Sequence, residues 1–251
     1  MRVCSDRLNL QKLFVEMDEL FAERGFVREQ IAMTEAGPLV SWSRMAGLQF
    51  PTVYVSSGMH GDEPAGPLAV QAFFQDENDL PEMNWLVCPL LNPTGLAAAT
   101  RDNAQGIDLN RDYLQRHSLE VRAHAEWLEK QIVPDLFLSL HEDWETEGFY
   151  FYEISLGEDR PQRAHELLSA VGAICPIEKN GMIDDHAVRE PGWIHHEPQA
   201  DFPDSWPEAI FLAKRGCPLS FTFETPSCAL PITQRIAAHG AAIRDALRWL
   251  R

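Results

Sequence analysis

The sequence predicts an α/β fold: a mixed, mostly parallel, twisted sheet flanked by helices. Three observations carry that reading. Short apolar runs at residues 52–57, 84–91, 135–140 and 219–223 have the length and composition of buried strands. Segments with apolar residues at helical spacing alternate with them, which implies parallel strands covered by helices. His60, His141 and Glu224 each fall at the C-terminal end of a predicted strand. Open α/β sheets hold their sites there.

The elements follow in order. Residues 6–24 place Leu10, Leu13, Phe14, Met17, Leu20 and Phe21 at helical spacing, with Gly25 as a stop. Residues 30–43, divided by Ala36-Gly37-Pro38, read as two short strands joined by a turn. The stretch 52–66 runs from a strand, through a break at Gly58, into a helix that starts at Pro64 and extends to Gln75. Asp62 is placed to cap that helix. Residues 84–91 form the next strand, whose Pro89 predicts an end near a sheet margin or a bulge.

Residues 92–113 read as a long polar loop. A helix over 118–132 aligns Val121, Ala125, Leu128 and Ile132 on one face. The strand at 135–140 ends in His141, a further strand covers 148–154, and a helix covers 160–171. Residues 180–207 show little periodicity and are rich in Pro, Asp, His and Trp; a loop of that length is usually functional. Helical turns at 208–214, the strand at 219–223 and an amphipathic helix at 231–250 close the chain. No repeat or linker-like composition intervenes, so residues 1–251 are expected to form one domain.

Charge excludes two partner classes. The formal net charge is -17, so a nucleic-acid backbone and an anionic membrane would both be repelled. The acids Asp6, Glu16, Asp18 and Glu19 interrupt any signal-peptide core, and no run approaches the roughly 20 apolar residues that span a bilayer. Cys4, Cys88, Cys175, Cys217 and Cys228 are odd in number and scattered, which suits a reducing compartment. The expectation is a soluble, cytoplasmic protein.

The chemistry concentrates in a few residues. His60 and Glu63, three apart at the mouth of a strand, can reach one ion from the same side. Zinc takes such ligands at roughly 2.0–2.2 Å. Taken alone, the pair is a weak pattern that reads more readily as a loop histidine beside a solvated first-turn acid. His141, after Leu-Phe-Leu-Ser-Leu, supplies the third ligand that a hydrolytic zinc site needs while leaving a position for water. The acids after it either orient its ring or are solvated. Glu224, ending the apolar run Ser-Phe-Thr-Phe, is poorly placed for a surface acid and well placed for a general base. Arg101, Asn110 and Arg111 bracket a Gly-containing turn; guanidinium forks bind carboxylates and can stabilise an oxyanion.

Together, His60-Gly-Asp-Glu63, Asn92-Pro-Thr-Gly95, Arg101, Gly106-Ile-Asp-Leu-Asn-Arg111, His141 and Phe223-Glu224-Thr225 resemble the zinc metallocarboxypeptidases. This carboxypeptidase A/B-like family, in its short bacterial form, is related to the succinylglutamate desuccinylase/aspartoacylase group. The resemblance spans about residues 50–230. It implies one Zn2+ held by His60, Glu63 and His141, with Glu224 as general base. By the same resemblance Arg101 polarises the scissile carbonyl, and Asn110 and Arg111 hold the substrate's terminal carboxylate. It also implies a sheet of about eight strands in a phosphorylase/hydrolase-like fold.

Two departures stand out. The family's mobile Tyr some twenty residues before the base has no counterpart; Phe202 and Trp206 occupy that region, and no Tyr follows Tyr152. The specificity-pocket residue does not align across 180–207. Acids there (Asp184, Asp185, Glu190, Asp201, Asp204) and His186, His195 and His196 either favour a basic side chain or are solvated.

The leading expectation is a zinc-dependent carboxypeptidase that hydrolyses the C-terminal peptide bond of peptides. The alternative is an N-acyl-amino-acid deacylase of the desuccinylase/aspartoacylase type. Such relatives usually carry a β-rich domain after the catalytic Glu, whereas one helix is predicted after Glu224. A third reading, an inactive module that captures carboxylate-ended peptides, sits poorly with seven suitably filled key positions. Oligomeric state has no signature in the sequence.

Overall fold

The computed structural model describes residues 7–76 and 80–250. Cys4 and Asp6, used in the arguments above, lie outside the described residues. The chain begins with α1 (Leu10–Glu23) and a hairpin of β1 (Val27–Thr34) and β2 (Gly37–Arg44). Next come β3 (Thr52–Ser57), α2 (Ala65–Asp76), β4 (Asn84–Cys88), α3 (Pro93–Ala98) and α4 (Leu119–Lys130). The chain continues through β5 (Leu136–Asp143), β6 (Tyr150–Ser155) and α5 (Pro161–Gly172). Three short strands, β7 (Met182–Ile183), β8 (His186–Ala187) and β9 (Trp193–His195), precede α6 (Glu208–Lys214), β10 (Leu219–Pro226) and α7 (Ile232–Ala246).

Eight strands form one sheet in the order β1-β2-β4-β3-β5-β10-β6-β9. Its centre, β4-β3-β5-β10, is parallel, with antiparallel neighbours β2 and β6 on either side. This is the mixed, helix-flanked sheet expected from the sequence. Helices cover both faces, which is why the central strands are near-continuous apolar runs.

Period-two alternation assigns the two faces. Val53, Val55, Trp85, Val87, Leu136, Leu138, Phe221 and Phe223 pack against Met17, Phe21, Val70, Phe74, Leu167 and Ala242 from the covering helices. Tyr54, Leu86, Cys88 and Phe137 point the other way, onto Val121, Ala125 and Leu128 of α4 and Phe211 and Leu212 of α6. Each such aliphatic or aromatic side chain contributes roughly 1.5–3 kcal/mol by burial. Further along that second face the apolar cover gives way. Ser220, Thr222 and Glu224 on β10, and Tyr150, Tyr152 and Ile154 on β6, line a cavity instead.

Several local expectations are corrected. β4 is an internal strand, and Pro89 lies just past its end rather than at a sheet margin. Its missing N–H therefore costs no ladder bond, and its carbonyl accepts from the Ser57 hydroxyl at 2.8 Å. The polar loop 92–113 contains α3 and a 3-10 turn at Leu109–Arg111, because Asn92 and Asp108 cap them by accepting from the N–H of Gly95 (2.8 Å) and Asn110 (2.9 Å). Ile132 falls beyond α4 and is 45% exposed. The cap expected of Asp62 comes instead from Glu142, which accepts from Ala65 N–H at 2.7 Å. No helix among the described residues is long and apolar enough to cross a membrane.

A buried polar chain ties α6 to the sheet. The Tyr54 hydroxyl donates to Glu208 Oε1 (2.8 Å) and lies 2.7 Å from His124 Nε2. His124 Nδ1 faces the Tyr113 hydroxyl at 2.7 Å, and Ser56 donates to Glu208 Oε2 at 2.8 Å. Burial pushes the Glu208 carboxyl up to about 7 against the opposing pull of these hydroxyls. An acid raised on folding contributes stability that is complete below its unfolded pKa, near 4.5, and lost as pH climbs through about 7. Glu208→Gln removes that titration. In urea unfolding at pH 4.5 and pH 7.5, wild type is therefore expected to lose on the order of 1–3 kcal/mol relative to the variant at the higher pH.

Candidate metal centre

The turn after β3 is built to present His60. Gly58 adopts φ +64, and a Cβ on Gly61 would fall 1.8 Å from the Gly95 carbonyl carbon, so only glycine fits against that backbone. Asn92 holds the packed strands of loop together, donating to the carbonyls of Met59 (3.2 Å) and Arg101 (3.3 Å). The Asn92-Pro-Thr-Gly95 block thus acts as scaffold for the turn.

His60, Glu63 and His141 are all buried and converge. His60 Nδ1 lies 2.5 Å from Glu63 Oε1, His141 Nδ1 lies 2.9 Å from Glu63 Oε2, and the two ring nitrogens are 3.3 Å apart. His60 Nε2 faces Asp108 Oδ1 at 3.2 Å. In the neutral ring, an Nε2–H donating there leaves the Nδ1 lone pair aimed into the cluster. Two imidazole nitrogens around one carboxylate form the donor set of a divalent transition metal, and the residues fit one.

The electrostatics agree. Burial alone would lower the His60 pKa, but the carboxylates of Glu63 and Asp108 outweigh it and raise it to about 9 in the metal-free protein. Burial dominates at His141 and lowers its pKa. Glu63, despite burial, is held far below the usual carboxylate range by the two imidazoles. The cluster therefore keeps Glu63 ionised, and in the metal-free protein a proton on His60 supplies the positive charge beside it.

β10 brings Glu224 beside this cluster. The parallel ladder pairs Glu224 with His141, and the antiparallel ladder pairs it with Tyr150. Glu224 and His141 lie inside their strands rather than after them. Burial, then the negative charges of Glu63, Asp143 and Asp184, push the Glu224 carboxyl well above its ordinary pKa, with Arg101 opposing. A cation at Glu63 would counter part of that repulsion and return Glu224 to the ionised form.

Arg101 donates from Nε and Nη2 to Asp108 Oδ2 (3.1 and 3.0 Å), and its Nη1 stands 3.7 Å from Glu63 Oε1. Asn110 Oδ1 accepts from Glu208 N–H at 3.0 Å, so its amide NH2 is left for a ligand. Arg111 Nη1 donates to the Asn110 carbonyl (2.9 Å) and remains largely exposed. All seven residues expected from the sequence line one cavity of about 630 Å³. Phe202, 66% exposed, stands at that cavity, whereas Trp206 packs against the apolar cluster behind it.

The catalytic-domain model for succinylglutamate desuccinylase/aspartoacylase matches residues 49–247. The chain belongs to this family. As a member of it, the protein also resembles solved metallopeptidase-like structures. A candidate metallopeptidase from Shewanella amazonensis SB2B is 26% identical, with TM-score 0.85 over 96% of this chain and 93% of its own. Another, from Shewanella denitrificans OS217, is 25% identical, with TM-score 0.84 over 96% and 90%. A metallo-carboxypeptidase from Burkholderia cenocepacia, 18% identical, shares the fold at TM-score 0.71 over 98% of this chain and 70% of its own. No curated protein matches the sequence.

Sequence reasoning gave no role to several residues of this family member's site. Asp108 sits inside the quoted Gly106–Arg111 block, yet its service to both His60 and Arg101 has no local signature. Tyr150, Tyr152, Ser220 and Thr222 line the cavity. Alternation with Phe149, Phe151, Phe221 and Phe223 was the available signal, since those four sit in the core on the opposite face. Glu142 serves α2 and Arg235 rather than the His141 ring.

Proposed function

We propose that the protein is a zinc-dependent metallocarboxypeptidase that hydrolyses the C-terminal peptide bond of peptides. The observation that carries this reading is the shared cavity: a His-Glu-His cluster, a carboxylate base and a carboxylate-binding pair all face it. Its volume, about 630 Å³, suits a ligand larger than a single amino acid. Zinc held by His60, Glu63 and His141 would supply a water of lowered pKa and a Lewis acid for the carbonyl.

The chain's own residues do the rest. The amide of Asn110 and the guanidinium of Arg111 bind the substrate's free carboxylate and set its register. Arg101 faces the carbonyl oxygen and stabilises the negative charge that develops there. Glu224 takes the proton of the attacking water and delivers it to the leaving amine nitrogen, so base becomes acid within one cycle. The reading keeps residues 1–251 as one catalytic domain acting in the cytoplasm.

The second reading, an N-acyl-amino-acid deacylase, is favoured by the family match. It uses the same amide hydrolysis and the same anchor, and differs in what lies on the acyl side. A panel of C-terminally varied peptides and N-acyl amino acids, assayed with and without added zinc, separates the two. Cleavage confined to N-acyl amino acids would replace the carboxypeptidase reading.

If Asn110 and Arg111 grip a free carboxylate, amidated peptides should be poor substrates. Amidation removes the charge and one acceptor. A charge-assisted hydrogen bond is worth roughly 1.5–3 kcal/mol, so a preference of about ten- to a hundredfold for the free acid is expected. Arg111→Ala should erase most of that preference. Arg101→Ala should lower kcat more than it raises KM, because its partner gains charge in the transition state. Equal cleavage of free and amidated peptides by wild type would remove this anchor.

A further inference from the structure

We propose that His186, His196 and Asp201 form a second divalent transition-metal site, on the wall of the same cavity and separate from the His60–Glu63–His141 cluster. The residues come from three segments: His186 opens β8, His196 follows β9, and Asp201 lies in the loop beyond. The Nε2 atoms of His186 and His196 stand 3.2 and 3.3 Å from a single oxygen, Oδ1 of Asp201. The two rings are 4.9 Å apart, centroid to centroid, and each meets Tyr152 edge-on, at 5.4 and 6.1 Å. Tyr152 is itself fixed by donating its hydroxyl to Asp184 at 3.2 Å.

Tautomer chemistry turns this contact into a cation site. His196 Nδ1 lies 2.6 Å from the Glu197 carbonyl oxygen, which can only accept. Nδ1 therefore carries the proton, and in the neutral ring Nε2 presents a lone pair to the Asp201 carboxylate. A lone pair facing a carboxylate is repelled unless positive charge lies between them, either a second proton or a metal ion. Nδ1 of His186 has no hydrogen-bond partner among the described residues, so no contact there fixes which of its ring nitrogens carries the proton.

Two nitrogens and one oxygen, all within 4.8 Å of one another, match the imidazole–carboxylate set that zinc and its neighbours in the first transition row prefer. Asp184 and Asp185 on the same cavity wall add negative charge. A metal ion would take both Nε2 lone pairs and the shared oxygen at once, where hydrogen bonding alone needs a proton on each Nε2. Asp201 is about half exposed, so ions reach the site directly from solvent.

The site does not depend on the proposed peptidase activity, and its test counts metal. Full-length protein, stripped by chelator, is dialysed to equilibrium against Zn2+ with magnesium in excess to occupy ordinary surface carboxylates. Zinc is then measured by elemental analysis and folding by circular dichroism. Wild type is expected to hold two equivalents. H196A and the near-isosteric D201N should each hold one, H141A should hold one, and the H141A/H196A double variant none. No zinc held by folded H141A, or two equivalents retained by both folded H196A and D201N, would overturn the proposal. The H141A count reports this site alone and the H196A count the first cluster alone, so failure of either is seen separately.

Discussion

Glu224→Gln is expected to lower turnover by a factor of about 10² or more while zinc content and fold are unchanged. An amide has nearly the shape of the carboxylate but cannot accept the proton of the attacking water. Its position on β10 makes the substitution clean: the flanking residues on the strand, Phe223 and Thr225, are buried and hold it without help from this side chain. The variant also removes a carboxyl whose ionisation is opposed by burial and then by the charges of Glu63, Asp143 and Asp184, so no loss of stability should accompany the loss of rate. Steady-state kinetics beside elemental analysis decide the matter. Near wild-type turnover with full metal would take Glu224 out of the mechanism.

His141→Ala should be more severe, stripping the metal from the first cluster and with it all zinc-dependent activity. Only His60 and Glu63 would remain, and two ligands with water hold an ion poorly. The change also leaves Glu63 with one imidazole where it had two, within a buried pocket. The loss should therefore show in zinc content at this cluster before it shows in any kinetic parameter. Because the second proposed site would still bind zinc, the decisive measurement is the H141A/H196A double variant compared with H196A. Retention of one equivalent by that double variant would sink the assignment of His141 as a ligand.

Much of the site is legible in the local sequence. The residues 52–66 announce strand, break and helix through purely local chemistry: β-branched residues, Gly58, and Pro64 ahead of the helix. The pair His60 and Glu63 is three residues apart, so local structure alone brings both to one place. The elements of the sheet were legible for the same reason, since apolar period and turn residues act over short distances. The hairpin of β1 and β2 and the helices α2, α4, α5 and α7 lie where periodicity puts them, to within a few residues at each end.

The remainder depended on neighbours distant in sequence. Nothing local says that β10 lies between β5 and β6, yet that order puts Glu224 in register with His141 and Tyr150. Asp62 looks like a helix cap by position, but the parallel strand β5 delivers Glu142 to Ala65 N–H instead. Residues 180–207 carry no period because their strands are only two or three residues long, and what orders His186, His196 and Asp201 is contact with Tyr152 and one another. The sequence by itself determined which side chains can do chemistry and the local turns that present them. Tertiary structure alone decided which of them meet, because strand order and face are set by pairing energies between segments that no short window contains.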